Sequence, residues 1–203
     1  MIICVLDAGQ FIEKTEFLEP LRQYGEIQIF SGMPESVDEI VARAGDAEVV
    51  AFAMTLLTRD VIDRLPNLRI LQFIGTGMWN FVDVDYAVSK GIKVLNIEAY
   101  GSNAVAEFAV SLAMSANRNI VPAVNIVKAH DWTTDGLGGQ EIAGATVGVI
   151  GTGSIGHLVA EKFFGLGANV IACDLYENER LKEKYGLKYY SMEEVFCQSD
   201  IIT

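Results

Sequence analysis

Short apolar runs alternate with amphipathic stretches along almost the whole chain. Runs at 2–6, 26–30, 48–53, 68–74 and 92–95 are rich in Ile, Val, Leu and Phe and predict five strands buried on both faces. Between them, 11–24 (containing Pro20), 37–44, 59–65 and 84–90 carry helical spacing. The longest helical run is 102–119, where Ala104, Val105, Phe108, Leu112 and Ala116 form an apolar stripe expected to face a core. Ser102 or Asn103 is the expected N-cap. A second helix is expected at 121–128, followed by a polar, glycine-rich turn. The pattern then resumes with strands at 145–150, 169–173 and 188–190, helices at 154–166, 177–185 and 192–198, and the start of a strand at Ile201. Strands alternating this regularly with helices predict parallel sheets covered on both faces.

One stretch carries explicit ligand chemistry. After the run ending at Ile150, Gly151, Gly153 and Gly156 supply G-x-G-x-x-G at a strand-to-helix turn, and Asp174 closes the next strand 23 residues after Gly151. In a βαβ unit the first glycine permits a tight turn. The second lets backbone approach a pyrophosphate, and the third lets the helix pack on the strand. The helix N-terminus adds unpaired N–H groups and positive dipole. A carboxylate at the Asp174 position accepts from a ribose diol and repels a 2′-phosphate, which favours NAD over NADP; Arg180 is the nearest cation. The alternative is a structural βαβ turn with no ligand.

The chain is therefore expected to be α/β, with two doubly wound parallel-sheet domains. The first is a flavodoxin-like, substrate-binding domain over 1–98. The second is a Rossmann NAD-binding domain over 99–203, opened by a linking helix. After residue 145 only three strands and the start of a fourth can be counted, where a full Rossmann sheet has six. The second domain is thus expected to be incomplete and the chain to be part of a longer enzyme.

Composition narrows the partners. A net charge of −12 over 203 residues disfavours nucleic acid and anionic membrane surfaces. Neither a signal peptide nor a membrane span is read from the opening residues. Cys4, Cys173 and Cys197 are dispersed, with no metal-ligating spacing, and are expected to be reduced thiols of a cytoplasmic protein. His130 lies in a polar segment. His157 opens the helix after Gly156 and is expected to be a solvated first-turn residue, with a contact to phosphate as the alternative. The acid pairs Asp83/Asp85 and Glu193/Glu194 read as a helix N-terminal cluster and a solvated face.

The order of a small α/β domain, a long helix and then G-x-G-x-x-G resembles the D-isomer-specific 2-hydroxyacid dehydrogenases. Three stretches carry the resemblance: LRILQFIGTGMWNFVDVDYAVSKGIKVLN, GSNAVAEFAVSLAMSANRNI, and HDW…GQEIAGATVGVIGTGSIG. It implies that the turn at Gly75, Thr76, Gly77 and Met78 receives a substrate carboxylate on its amides. It also implies cofactor contacts from Thr76, Val105, Gly151, Thr152, Gly153, Ser154, Ile155, Gly156 and Asp174. The segment Met78–Val82 departs from the family's G-x-D-N-[IV]-D pattern, being one residue longer and lacking its first Asp. Trp79 within it is expected to pack between domains, with narrowing of the pocket as the alternative.

The family's chemistry is hydride transfer between nicotinamide C4 and substrate C2, with a His–acid pair and an Arg. In the family those three lie beyond the last residue of this chain, so no catalytic residue is assigned and the fragment alone is expected to be inactive. The implied function is an NAD-dependent oxidoreductase interconverting a small 2-hydroxy acid and a 2-keto acid, acting as a homodimer on an anionic substrate. The competing readings are a non-catalytic NAD-binding sensor and an oligomerising module of the same fold.

Overall fold

A computed structural model describes residues 1–9 and 15–203. Two compact units divide the chain, Met1–Glu98 and Ala99–Thr203.

In the first unit, β1 (Ile2–Val5), β2 (Glu26–Ile29), β3 (Val49–Phe52), β4 (Ile70–Phe73) and β5 (Lys93–Leu95) form one parallel sheet. Its order is β2-β1-β3-β4-β5, the flavodoxin-like arrangement, with its switch point between β1 and β3. The helices α1 (Val37–Ala44), α2 (Arg59–Asp63) and α3 (Val84–Ser89) follow β2, β3 and β4. Phe52, Leu57, Val61 and Leu71 lie fully buried in the core between sheet and helices. Each helix carries a side-chain N-cap, from Ser36, Thr58 and Asp83, satisfying amides that lack an intrahelical partner. Asp83 thus confirms the expected N-terminal cluster.

The helix expected over 11–24 falls partly on residues 10–14, outside the described residues. From Thr15 to Gln23 the chain is a 3-10 helix containing Pro20. Proline has no N–H to give and its ring crowds the preceding turn, so a regular α-helix does not run through it. The expected helix at 59–65 stops at Asp63, just before Pro66, whose ring restricts the residue ahead of it.

The second unit opens with α4 (Ser102–Asn117) and α5 (Ile120–Lys128). Its parallel sheet has β6 (Thr146–Ile150), β7 (Asn169–Cys173), β8 (Lys188–Tyr189) and β9 (Ile201–Ile202) in the order β8-β7-β6-β9. This is the 3-2-1-4 portion of a Rossmann sheet, with its switch point between β6 and β9. Three further helices connect the strands: α6 (Gly156–Gly165), α7 (Glu179–Tyr185) and α8 (Met192–Gln198). Gly148 on β6 lets α8 approach, since a Cβ there would lie 2.6 Å from Val195 Cγ1.

The expected core stripe of α4 is overturned. Ser102, Ala106 and Val110 are its buried residues, with Ala109 and Ala113 packed beside them. Val105, Phe108 and Leu112 are 48%, 64% and 54% exposed. Small side chains line the inner face because α4 packs tightly on α6; the larger apolar residues are turned outward. The expected side-chain cap is also absent: Gly101 is the N-cap, and it has no side chain to give. Glu194 closes a capping box with Ser191 and so does structural work beyond lining a solvated face.

Candidate functional site

The glycine loop is built by three local constraints. Gly151 takes φ +87, in the left-handed region that glycine enters without strain, and its N–H donates to the Cys173 carbonyl at 2.8 Å. A Cβ on Gly156 would overlap the Gly151 carbonyl oxygen, so the first turn of α6 lies directly on the end of β6. Gly153 has open space where its Cβ would stand. The helix was expected from residue 154 but begins at Gly156, because Ser154 and Ile155 form the turn into it. Among the described residues, the amides of Ser154, Ile155 and Gly156 have no protein acceptor. These free donors at the N-terminus of a ten-residue helix, beside an open glycine, are the donor set that a pyrophosphate requires. The residues present fit a dinucleotide.

Asp174 directly follows β7 and is already engaged. Its Oδ2 accepts the Thr152 N–H at 2.5 Å and the Thr152 hydroxyl at 3.1 Å, while Oδ1 accepts the Tyr176 N–H at 3.1 Å. The Thr152 amide, ahead of the Tyr176 amide, holds this carboxyl below the usual carboxylate range. Leu175 and Tyr176, which follow it, are 93% and 86% exposed. Arg180 on α7 is drawn away to Glu161 on α6 at 3.2 Å, and among the described residues no cation is bonded to the Asp174 carboxylate. His157 donates from Nδ1 to the Gly153 carbonyl at 2.7 Å, an assignment that follows from the partner being acceptor-only. It braces the loop where the sequence suggested a solvated side chain. Val105 lies exposed on α4.

In the first unit the Gly75–Gly77 turn follows β4. Gly75 is buried, and a Cβ there would lie 2.6 Å from the Phe73 ring, which stacks on Phe81 at 5.0 Å. The turn is tied to the end of β5: Ile97 N–H donates to the Gly75 carbonyl, Asn96 Nδ2 to the Thr76 carbonyl, and Thr76 Oγ1 to the Ile97 carbonyl. Thr76 and Gly77 are exposed, whereas Met78 is half-buried, with its side chain packed against the core. Among the described residues, the amides of Thr76, Gly77 and Met78 donate to no protein acceptor. The segment after Gly77 forms a single 3-10 turn, Met78–Asn80. Trp79 is 69% exposed and lines a groove of about 570 Å³ with Leu56, Arg59 and Asp83.

Sequence reasoning passed over Asp7. This buried carboxylate, at the β1/β3 switch point, accepts N–H groups from Ala53, Met54 and Thr55 and the Thr55 hydroxyl, all within 2.9 Å. The available signal was an acid placed directly at the end of an apolar strand. Cys4 is sealed in the core, where burial pushes its thiol up to about 12. Among the described residues no group of His, Cys, Asp or Glu could hold a metal ion, and no helix is long and apolar enough to cross a membrane.

Residues 110–203 match the model of the D-isomer specific 2-hydroxyacid dehydrogenase NAD binding domain. The D-3-phosphoglycerate dehydrogenase of Methanocaldococcus jannaschii is 34% identical over 185 residues, covering 90% of this chain and 35% of that protein. The chain belongs to the D-isomer-specific 2-hydroxyacid dehydrogenase family. Among solved structures, D-lactate dehydrogenase from Aquifex aeolicus, complexed with NAD and lactic acid, superposes with a TM-score of 0.82 at 26% identity. An acyclic imino acid reductase in complex with NADPH and D-Arg superposes at 0.86 and 25%. Both cover 100% of this chain, which spans 59% and 64% of theirs. The chain thus spans about a third of the archaeal dehydrogenase and about three fifths of the two solved chains. As a member of this dehydrogenase family, the chain carries its NAD-binding domain in the second unit.

Proposed function

We propose that this chain supplies the substrate-binding and NAD-binding parts of a dehydrogenase that interconverts a small 2-hydroxy acid and its 2-keto acid. The observation that carries the reading is the glycine loop, whose Ser154, Ile155 and Gly156 amides stand free beside Asp174. In this proposal residues 1–98 form the substrate domain and 99–203 the cofactor domain. The dinucleotide supplies the hydride. The chain's own residues bind and orient. Amides of Gly153, Ser154, Ile155 and Gly156 take the pyrophosphate, with Gly151 and Thr152 shaping the loop, and Asp174 takes the adenosine ribose. Val105 and Thr76, both exposed, are included among the cofactor contacts. The Thr76, Gly77 and Met78 amides, presented by the buried Gly75, take the substrate carboxylate, which explains how a chain of net charge −12 can bind an anion.

No residue of this chain is given a catalytic role. The proposal includes a homodimer, in which the outward-facing Phe108 and Leu112 are covered by a second copy, and a cytoplasmic setting consistent with three unpaired cysteines.

Fluorescence titration with NADH tests the cofactor reading, expecting saturable binding that Asp174→Ala weakens. Oxidation of NADH with a panel of 2-keto acids by the full-length protein tests the reaction. Absence of NADH binding, or binding without turnover of any 2-keto acid, would sink the first or second part respectively.

A further inference from the structure

The side chain of Tyr189, on β8, reaches back to the glycine loop. Its ring packs against the core of the second unit. Its hydroxyl lies 2.8 Å from Thr152 Oγ1 and 2.8 Å from the Asn178 backbone nitrogen. This set of hydrogen bonds runs in one direction only. A carboxylate accepts and cannot donate, so Thr152 Oγ1 spends its single hydrogen on Asp174 Oδ2. Thr152 can then only accept from Tyr189, and the Tyr189 oxygen in turn accepts the Asn178 N–H. Asn178 is also the N-cap of α7, and its Nδ2 reaches the Thr152 carbonyl at 3.4 Å. The loop, the end of β7, the start of α7 and β8 are thereby joined through one buried threonine, 3% exposed.

The consequence falls on the two oxygens of Asp174. Oδ2 receives both bonds from Thr152 and is committed to the protein. Oδ1 receives the Tyr176 N–H and keeps acceptor capacity. Resting on the NAD-binding reading above, we propose that Tyr189 is a positioning residue for cofactor choice: by holding Thr152, its hydroxyl pins Oδ2 and presents Oδ1 to a ribose hydroxyl. Tyr189 touches no part of the ligand. Removing its hydroxyl frees the carboxylate to turn, which weakens a ligand that donates to it more than one that carries a phosphate there.

Fluorescence titrations with NADH and with NADPH test this on the wild type, Tyr189→Phe, Thr152→Val, Thr152→Ser and Asp174→Ala. Phenylalanine keeps the packed ring. Tyr189→Phe and Thr152→Val are each expected to weaken NADH binding roughly three- to tenfold, the effect of one hydrogen bond, with a smaller loss for NADPH. Thr152→Ser retains the hydroxyl and should keep the wild-type ratio of the two affinities. The Tyr189→Phe/Thr152→Val double variant should bind NADH no more weakly than the weaker single variant, since both break the same chain. A purely structural role would lower the melting temperature and leave the NADH-to-NADPH ratio alone. That result, alongside a collapsed ratio in Asp174→Ala, overturns the proposal and leaves the NAD reading standing. Failure of the wild type to bind NADH overturns the reading beneath it.

Discussion

The Thr152 backbone N–H points at Asp174 Oδ2 across 2.5 Å, so the residue after the first loop glycine is held by the acid at the end of the neighbouring strand. The carboxylate therefore shapes the loop as well as facing a ligand. Asp174→Ala removes a charged hydrogen-bond acceptor, and NADH affinity is expected to fall about ten- to a hundredfold. NADPH affinity should fall less, because a repulsive charge is removed with the acceptor. Paired titrations measure both.

The same bonds set an acid limit. Amide donation from Thr152 and Tyr176 lowers the Asp174 pKa in the folded state. A depressed carboxylate stabilises the fold above its unfolded value, about pH 4. That contribution is lost as pH falls through the lower, folded value. Thermal melts between neutral pH and pH 3 should show Asp174→Asn less stable than wild type at neutrality and converging with it in acid. Parallel curves across the range would contradict this.

Gly156→Ala places a methyl group on the Gly151 carbonyl oxygen, a backbone atom that cannot step aside without moving β6. The expected cost is about 3 kcal/mol, at the upper end for overpacking. The melting transition of the second unit should drop on the order of 10–20 °C, with loss of NADH binding. Circular dichroism melts with a cofactor titration decide it.

Asp7→Asn keeps the shape but turns an amide NH2 toward N–H groups that now have no acceptor. Leaving a buried donor unpaired costs about 2–3 kcal/mol. The first unit's melting temperature should fall on the order of 10 °C. The transition of the second unit should not move, and calorimetry of the two transitions reads both.

Phe108→Glu places a charge in the outward apolar stripe of α4, where the wild-type ring is 64% exposed. Sedimentation should show a homodimer for the wild type and a folded monomer for the variant. A wild type that sediments as a monomer at all concentrations rejects the proposed dimer.

Parallel sheets were legible because their strands are continuous apolar runs: β7 was read at its full length, 169–173. The two sheet orders agree with the α/β reading of two doubly wound sheets. The burial of α4 was not legible, because periodicity alone ranks faces by hydrophobicity, whereas tight packing on α6 selects by size. Ala106 beats Phe108 for the inner face for that reason. The free amides of the glycine loop follow from the motif's spacing. The links from Tyr189 to Thr152 and from Asp7 to Ala53–Thr55 do not, since they join residues 37 and 46–48 positions apart and depend on which strands are neighbours.

β6 lies inside its sheet, with β7 on one side and β9 on the other. The β9 partners of Val147 and Gly148 are Ile201 and Ile202, 54 residues further along the chain. Asp200 fastens that seam, exchanging two bonds with the Thr146 backbone at 2.8 Å. The β7 partners of β6 lie 23 residues along the chain, so the β6–β7 pair can close before β9 is in place. Through that interval one flank of the strand carrying the glycine loop is an unpaired edge, the kind of template that recruits other nascent chains. The speed with which residues 174–200 fold and seat β9 therefore sets how long the cofactor-binding half is vulnerable to misassembly.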